Sequence, residues 1–295
     1  MRYLFPAPLL LAGSLLAGCA THEQKADIST YNPQFLLDRE TVEVLLINDH
    51  GYQWRVRAEV NGTEGEFILD SGTPVTVVTP QFARKAQLAD AAEIEGPTNQ
   101  IKPGRFASIT LMRLGNASYG FFYAPLMNLD HLSSALKTEI DGIIGGNVLN
   151  RTAYRIDWQA NLLTLYSHAP AAPGDAIRAN VRDNRVYLPA AINGQPAEFV
   201  LDTGAYCTTI AKDEVDRLRI PREKRKKIQA PQIDLYSERH MDQTQVVLDS
   251  LSLGPLQLTD HPVLTWDYNA LGVDLLSKFV LTVDARDGWI SLAPR

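Results

Sequence analysis

The chain contains one twelve-residue segment twice. Residues 61–72 read NGTEGEFILDSG and residues 193–204 read NGQPAEFVLDTG, so seven of the twelve positions are identical at an offset of 132 residues. A second pair follows downstream, IGGNVL at 144–149 and LGVDLL at 271–276, at an offset of 127 residues. Self-similarity at a nearly constant spacing indicates a repeated structural unit. The chain is therefore expected to fold as two copies of one unit.

Each copy is predicted to consist mainly of strands, because short runs of β-branched and aromatic residues bounded by turn residues are typical of strands. These runs are Val42–Asn48, Trp54–Val60, Glu66–Leu69 and Val75–Val78 in the first copy, and Val186–Ile192 and Glu198–Leu201 in the second. An Asn-Gly dipeptide, which favours a tight hairpin turn, joins two of the strands in each copy. Helices are expected only as short pieces, at Pro80–Leu88, Leu129–Thr138 and Lys212–Arg219. The pattern predicts an all-β protein.

Both repeated segments end an apolar strand in Asp-Ser-Gly or Asp-Thr-Gly, at Asp70 and Asp202. A buried ionised carboxylate is costly unless it is paired or hydrogen-bonded. Each aspartate is therefore either a turn cap or a working acid. A single such triplet is weak, since average composition produces one by chance in roughly one chain of this length in six. Two triplets on equivalent strands are far more specific.

The segment F-[IV]-L-D-[ST]-G, with a later apolar-Gly-x-[Asn/Asp]-x-Leu element, resembles the aspartic peptidase clan of pepsins and retroviral proteases. The resemblance covers nearly all of the chain from about residue 40 onward. It implies two retropepsin-like β-barrel lobes, related by a pseudo-two-fold axis, with the active-site cleft between them. The lobes would be residues 40–168 and 176–295, joined by a small Pro-rich linker at 169–175.

The resemblance also implies roles for the residues of the two triplets. The catalytic pair would be Asp70 and Asp202. The residues that support the two active-site loops would be Ser71, Gly72, Thr73, Thr203, Gly204 and Ala205. Two carboxylates about 3 Å apart share one proton, so one can activate a water while the other polarises the scissile carbonyl. This chemistry requires neither a metal nor a cofactor.

Members of the clan close a hairpin flap over the site, which excludes water and positions the substrate. The candidate flaps are residues 96–106 in the first copy and 230–241 in the second. The second contains Tyr236, which is the candidate substrate contact. Which of the two flaps covers the site is left open by the sequence.

The N-terminus has the form of a bacterial lipoprotein signal. Arg2 precedes an apolar stretch at Leu4–Leu16 that is too short to span a membrane. The Leu-Ala-Gly-Cys sequence ending at Cys19 resembles a lipobox, which implies a signal peptide at 1–18, lipidation of Cys19 and a polar tether at 19–39. Ala20 after the cysteine favours the periplasmic face of the outer membrane of a Gram-negative cell. A plain signal peptide with a chance cysteine is the alternative.

Composition excludes several other classes. A net charge of −6 with no basic stripe argues against nucleic acid as a partner. The six histidines show no metal-ligand spacing, so no metal site is expected. Cys207, in an apolar run, is interpreted as a small buried side chain rather than a nucleophile.

Three functions remain in view at this point. The first is an aspartic endopeptidase that is active as a monomer, because one chain supplies both triplets, and that takes peptide or protein substrates. The second is a lipoprotein that uses the same cleft only to bind peptides. The third is a duplicated structural barrel in which both aspartates are turn caps, a reading that leaves the matched Phe-x-Leu-Asp-x-Gly segments unexplained.

Overall fold

The computed structural model of the chain describes residues 31–48, 53–94, 104–233 and 238–294. The protein is mostly β, with a few short helices, as the strand pattern predicts. The elements of the first unit are β1 Phe35–Leu36, β2 Thr41–Ile47, β3 Arg55–Val60, β4 Thr63–Leu69, β5 Val77–Val78, α1 Pro80–Lys85, β6 Ala89–Ile94, β7 Gly104–Ile109, β8 Met112–Leu114, β9 Ala117–Tyr119, β10 Phe122–Pro125, α2 Asp130–Leu136, β11 Gly142–Ile144, α3 Gly146–Leu149, β12 Ala153–Asp157 and β13 Leu162–Tyr166.

The second unit repeats most of this order. Its elements are β14 Ile177–Arg178, β15 Asn180–Arg182, β16 Arg185–Ile192, β17 Gln195–Leu201, β18 Thr209–Ala211, α4 Lys212–Arg217, a 3₁₀ turn Arg222–Lys224, β19 Arg225–Ile233, β20 Glu238–Leu253, β21 Leu256–Trp266, β22 Ala270–Leu271, α5 Val273–Leu276, β23 Phe279–Asp284 and β24 Trp289–Pro294. Residues 169–176 between the units contain no strand or helix.

The Asn-Gly turns adopt the conformation that their sequence favours. Asn61 and Gly62 have φ of 48° and 84°, and Asn193 and Gly194 have φ of 49° and 75°. Positive φ at both central residues defines the turn that matches the twist of a two-strand hairpin, and Asn and Gly tolerate it best. These turns connect β3 to β4 and β16 to β17, so they set the register of the two strands that end in Asp70 and Asp202.

A sheet shared by both units joins them. Its strands run in the order β2, β13, β12, β23, β24, β14, with β12 of the first unit antiparallel to β23 of the second. Arg155 on β12 pairs with Thr282 on β23, and these residues are also equivalent by the 127-residue offset of the repeat. A residue that pairs with its own counterpart lies on the symmetry axis. The pseudo-two-fold axis therefore passes through this pair.

The second unit forms a closed six-stranded barrel of β16, β17, β22, β18, β21 and β20, in which β20 pairs back with β16. In the first unit the corresponding strands are divided between two sheets. Strands β6, β7 and β10 form their own sheet, which meets β5 through a bridge between Val78 and Leu126. Most buried apolar side chains of the two units belong to one continuous core, and a second, smaller cluster in the first unit lies around α2 and includes Leu132 and Ile143. Among the described residues, no helix has the length and apolar character needed to cross a membrane.

The structure corrects the expected extent of the tether. Residues up to Arg39 were expected to lie outside the fold, but Tyr31 is fully buried and stacks at 5.7 Å on Phe106. Strand β1 pairs with β9 through Phe35 and Tyr119. Apolar side chains within a mostly polar segment are the physical reason, because they gain more from burial in the first unit than from exposure. The first unit therefore begins at or before Tyr31.

Both candidate flaps are placed on hairpins. In the first unit the hairpin is β6–β7, and residues 95–103 at its tip lie outside the described residues. In the second unit it is β19–β20, and Tyr236 lies outside the described residues, as does Cys19.

Candidate active site

The two triplets occupy equivalent loops at the ends of two strands. Strand β4 ends at Leu69 and β17 ends at Leu201, and each pairs in parallel with a short strand, β11 or β22, from the end of its own unit. The pairing continues into the loops, because Asp70 N donates to Ile144 O at 3.0 Å and Asp202 N donates to Leu271 O at 3.2 Å. The backbone of each aspartate is thus held in place independently of the contacts that its side chain makes.

The hydroxyl groups of Ser71 and Thr203 cross-brace the two loops. Ser71 Oγ donates to Leu201 O at 2.7 Å, and Thr203 Oγ1 donates to Leu69 O at 2.9 Å. Each hydroxyl also accepts the backbone N–H of the other residue, at 3.0 and 3.1 Å. Four reciprocal hydrogen bonds between fully buried groups leave the loops little freedom to move apart. The brace fixes the spacing of the two aspartates.

Gly72 and Gly204 allow the carboxylates to approach each other. A Cβ at Gly72 would lie 2.3 Å from Asp202 Cγ, and a Cβ at Gly204 would lie 2.3 Å from Asp70 Cγ. Each carboxylate therefore packs directly against the glycine of the opposite loop. Any side chain at either position would displace an aspartate, which explains why glycine is required in both triplets.

The two carboxylates have different hydrogen-bond partners. Asp70 Oδ1 accepts the N–H groups of Gly72 and Thr73 at 2.8 and 3.0 Å, and Asp70 Oδ2 accepts Thr73 Oγ1 at 2.6 Å. Asp202 Oδ1 accepts the N–H groups of Gly204 and Ala205 at 3.0 and 2.9 Å. Ala205 has no hydroxyl to offer. The duplicated site is therefore symmetric at the backbone and asymmetric at the side chains.

This asymmetry decides which carboxyl group holds the proton. Burial, and next the nearby charge of Asp70, raise the pKa of Asp202 to about 8, although the N–H donors of Ala205 and Gly204 oppose the rise. Burial also raises the pKa of Asp70, but the hydroxyl and N–H of Thr73 oppose that rise by donating to the charged form. The structure thus favours an ionised Asp70 beside a protonated Asp202, with the two groups titrating as a coupled pair.

A second layer of hydrogen bonds supports both loops in matching ways. The N-terminal N–H groups of α3 donate to Thr73 O and Pro74 O, and those of α5 donate to Ala205 O and Tyr206 O. Within each unit one side-chain oxygen also anchors a threonine. Asn147 Oδ1 accepts the N–H and hydroxyl of Thr76, and Asp274 Oδ1 accepts the same groups of Thr208. Two glycine N–H groups complete the network. Gly145, after β11, donates to Thr76 Oγ1, and Gly272, after β22, donates to Thr208 Oγ1.

Two residues at the site have no signal in the sequence. Gln53 Nε2 crosses from the first unit and donates to Gly204 O at 2.6 Å. Tyr268 OH lies 3.4 Å from Asp202 Oδ2. Neither position is repeated, since the counterpart of Gln53 is Arg185 and that of Tyr268 is Asp141, so a search for matched residues passes over both.

Other titratable residues lie away from the site. Asp141 Oδ2 accepts the N–H of Glu66 at 2.9 Å, and Asp284 Oδ1 caps a turn through the N–H groups of Arg286 and Asp287. Burial raises the pKa of the half-buried Cys207 thiol to about 11, which does not suit a nucleophile. The described ranges contain no group of three or more His, Cys, Asp or Glu side chains that could hold a metal ion.

Comparison with protein families agrees with the duplication. The family model described as "Aspartyl protease" matches residues 56–148 and again residues 188–284. The chain belongs to the aspartyl protease family. Each match contains one triplet and its supporting strand, so this family member carries two family units in one chain and has the fold of two retropepsin-like lobes. No curated protein matches the chain.

Proposed function

We propose that this aspartyl protease family member is an aspartic endopeptidase that hydrolyses peptide bonds with a water held between Asp70 and Asp202. The observation that carries the proposal is the pair of buried carboxylates held together by the cross-brace, with unequal hydrogen-bond donors. An aspartate that only caps a turn needs neither a second carboxylate packed against it nor a hydrogen-bond donor to its Oδ2 atom. Peptide binding alone does not need a matched acid and base.

The proposed reaction uses the two protonation states already present. Ionised Asp70 takes a proton from the water as its oxygen attacks the scissile carbonyl carbon. Protonated Asp202 gives its proton to the carbonyl oxygen, which yields a neutral gem-diol and leaves Asp202 ionised. Asp70 then passes its proton to the leaving amine nitrogen while the C–N bond breaks, and Asp202 recovers a proton from one diol hydroxyl. Both aspartates return to their starting states.

We also propose that the enzyme is complete as a single chain and acts at a membrane surface. One chain supplies both aspartates, both braces and both supporting loops, so a second copy is not needed to build the site. The Leu-Ala-Gly-Cys sequence at 16–19 supports a lipid anchor on Cys19 facing the periplasm.

The reaction is tested by changing each aspartate alone. Asp70→Asn and Asp202→Asn are each expected to lower peptide cleavage by about 10³-fold or more, because groups that act as a unit fail together. The probe is an unstructured peptide library, with new N-termini identified by mass spectrometry between pH 3 and 8. Asp249→Asn, which removes an exposed carboxylate paired with Lys224, is the matched control and is expected to retain activity.

Both variants are expected to remain folded by circular dichroism, since an amide fits the same space. A variant that keeps more than a few per cent of activity contradicts the shared-water mechanism. If the wild-type protein cleaves nothing but binds library peptides, the binding function replaces the peptidase.

A further inference from the structure

The Oδ2 atoms of Asp70 and Asp202 contact different hydroxyl groups. Asp70 Oδ2 accepts the hydroxyl of Thr73, three residues along the same loop, at 2.6 Å. The equivalent position after Asp202 is Ala205, which cannot donate from its side chain. Asp202 Oδ2 instead accepts a long hydrogen bond from the phenol of Tyr268, 66 residues away, at 3.4 Å. The second unit thus brings a hydroxyl to its aspartate from another part of the fold.

Tyr268 is held in place by its neighbours. It lies between the end of β21 and the start of β22, and its carbonyl accepts the hydroxyl of Thr209 at 3.0 Å. The next residue, Asn269, donates to Glu198 O at 3.0 Å and accepts the N–H of Ala211 at 2.7 Å. These contacts hold the chain at Tyr268 and at the residue that follows it. A ring with a fixed backbone presents its hydroxyl to Asp202 at little cost in conformational entropy.

The position is open to a substrate as well as to the carboxylate. Tyr268 is 37% exposed, although its hydroxyl is directed at Asp202, which is 5% exposed. In the first unit the equivalent residue, Asp141, is buried and bonded to the backbone of Glu66 instead. Among the described residues, the first unit therefore has no aromatic donor at the position equivalent to Tyr268.

The phenol remains protonated throughout the pH range of the reaction. The charge of Asp202 raises the pKa of Tyr268, and burial and the charge of Asp70 raise it further. A group with a raised pKa of this kind acts as a hydrogen-bond donor and does not lose its proton during turnover.

We propose that Tyr268 is a catalytic residue that donates a hydrogen bond to Asp202 Oδ2 as Asp202 gives up its proton to the scissile carbonyl. The inference rests on the proposed peptidase function and extends it. No proton leaves Tyr268; the distance from its hydroxyl oxygen to Asp202 Oδ2 shortens as that oxygen gains negative charge. Hydrogen bonds to a charged acceptor are shorter and stronger than those to a neutral one. Catalytic hydrogen bonds are often long before substrate binds, which accounts for the 3.4 Å separation.

An interaction that strengthens only when charge develops on Asp202 stabilises the transition state more than the bound substrate. Its removal should therefore lower kcat and leave KM nearly unchanged. It should also raise the pKa of Asp202, because a donor to the charged form is lost. The basic limb of the pH profile of kcat, where Asp202 loses its proton, should move to higher pH.

The test is Tyr268→Phe in the full chain, which keeps the ring and removes only the hydroxyl. We expect kcat to fall about 10-fold, which is the effect of about 1.4 kcal/mol, with the basic limb displaced upward. Adding Ala205→Thr to this variant should restore part of kcat, since it places a hydroxyl where Thr73 stands in the first unit. Tyr166→Phe, on β13 of the central sheet, is the control and should change neither parameter.

Carbon-13 NMR titration of the Asp202 carboxyl group in wild type and Tyr268→Phe gives a readout that does not depend on cleavage. An unchanged pKa of Asp202 overturns the assignment of Tyr268, whether or not peptides are cleaved. A rise in KM alone also overturns it, because it indicates a substrate contact only. If the pKa of Asp202 rises in Tyr268→Phe but the wild-type protein cleaves no peptide, the proposed peptidase function fails instead.

Discussion

At the scale of single residues, the site shows how a duplicated sequence acquires two different roles. The backbone around each aspartate is the same, but Thr73 places a hydroxyl on Asp70 whereas Ala205 places none on Asp202. One side-chain difference is enough to bias a shared proton, because hydrogen bonds to buried charged groups are worth about 1.5–3 kcal/mol. A base and an acid can thus be made from two copies of one motif.

Thr73→Ala tests this bias. It removes one donor to the charged form of Asp70, so the pKa of Asp70 rises and the ionised base is lost at a higher pH than in the wild type. The acidic limb of the pH profile of kcat should therefore move upward, with the basic limb nearly unchanged. Ala205→Thr should instead move the basic limb of this profile to lower pH, because the added hydroxyl lowers the pKa of Asp202.

The control for this comparison is Thr259→Ala, an exposed threonine on β21 that is expected to leave both limbs in place. An acidic limb that Thr73→Ala does not move would show that this hydroxyl does not set the asymmetry.

At the scale of elements, the two units are held together by contacts that both of them supply. Strands β12 and β23 pair over four residues at the centre of the shared sheet. The turn at Asn184 packs on α3, where Asn150 Nδ2 donates to Asn184 O at 2.6 Å. The cross-brace adds four more hydrogen bonds between the units. The linker itself contributes no strand, and residues 171–175 are exposed.

Cutting the linker should therefore leave the two units associated. A protease recognition sequence inserted between residues 171 and 175 allows one cleavage after purification. We expect the two fragments to co-elute as one species and to keep peptidase activity within about 2-fold of the uncut protein. The reason is that the shared sheet, and not the linker, holds the two units together. The same protein before cleavage is the control. Separation of the fragments without denaturant would show that chain connection, not the central sheet, holds the units together.

At the scale of the whole molecule, the packing of Tyr31 shortens the distance between the fold and the proposed anchor. Only residues 20–30 lie between Cys19 and Tyr31. Fully extended, this segment spans at most about 40 Å. A lipidated Cys19 would therefore keep Tyr31 within about 40 Å of the membrane surface.

Cys19→Ser tests the anchor. Loss of the acylated thiol should move the protein from the membrane fraction to the soluble fraction, because the rest of the chain has no other proposed lipid attachment. Peptide cleavage by the soluble variant should match that of the wild type, since the site is built from residues 53–276. A Cys19→Ser protein that remains in the membrane fraction after a high-salt wash would contradict lipid anchoring.

The sequence alone was enough for most features that depend on local or repeated patterns, although it did not predict the helices α3 and α5. The strands ending in Asp70 and Asp202, the Asn-Gly turns and the helices α1, α2 and α4 follow from residues that are neighbours along the chain. The glycines of the two triplets were expected from their turns, although the structure adds a stronger reason, because a Cβ at either position would lie only 2.3 Å from the opposite carboxyl carbon. The duplication made the turn, the strand and the triplet recognisable, because each occurs in both copies.

Tertiary structure alone decided the features that break the repeat. Tyr268 and Gln53 reach the site from distant positions whose counterparts are Asp141 and Arg185, so comparison of the two copies gives them no weight. Tyr31 lies in a segment of polar composition, and it is buried against side chains distant in sequence such as Phe106. The physical reason is the same in each case. Such contacts depend on which distant side chains the fold brings together, and neither composition nor periodicity carries that information.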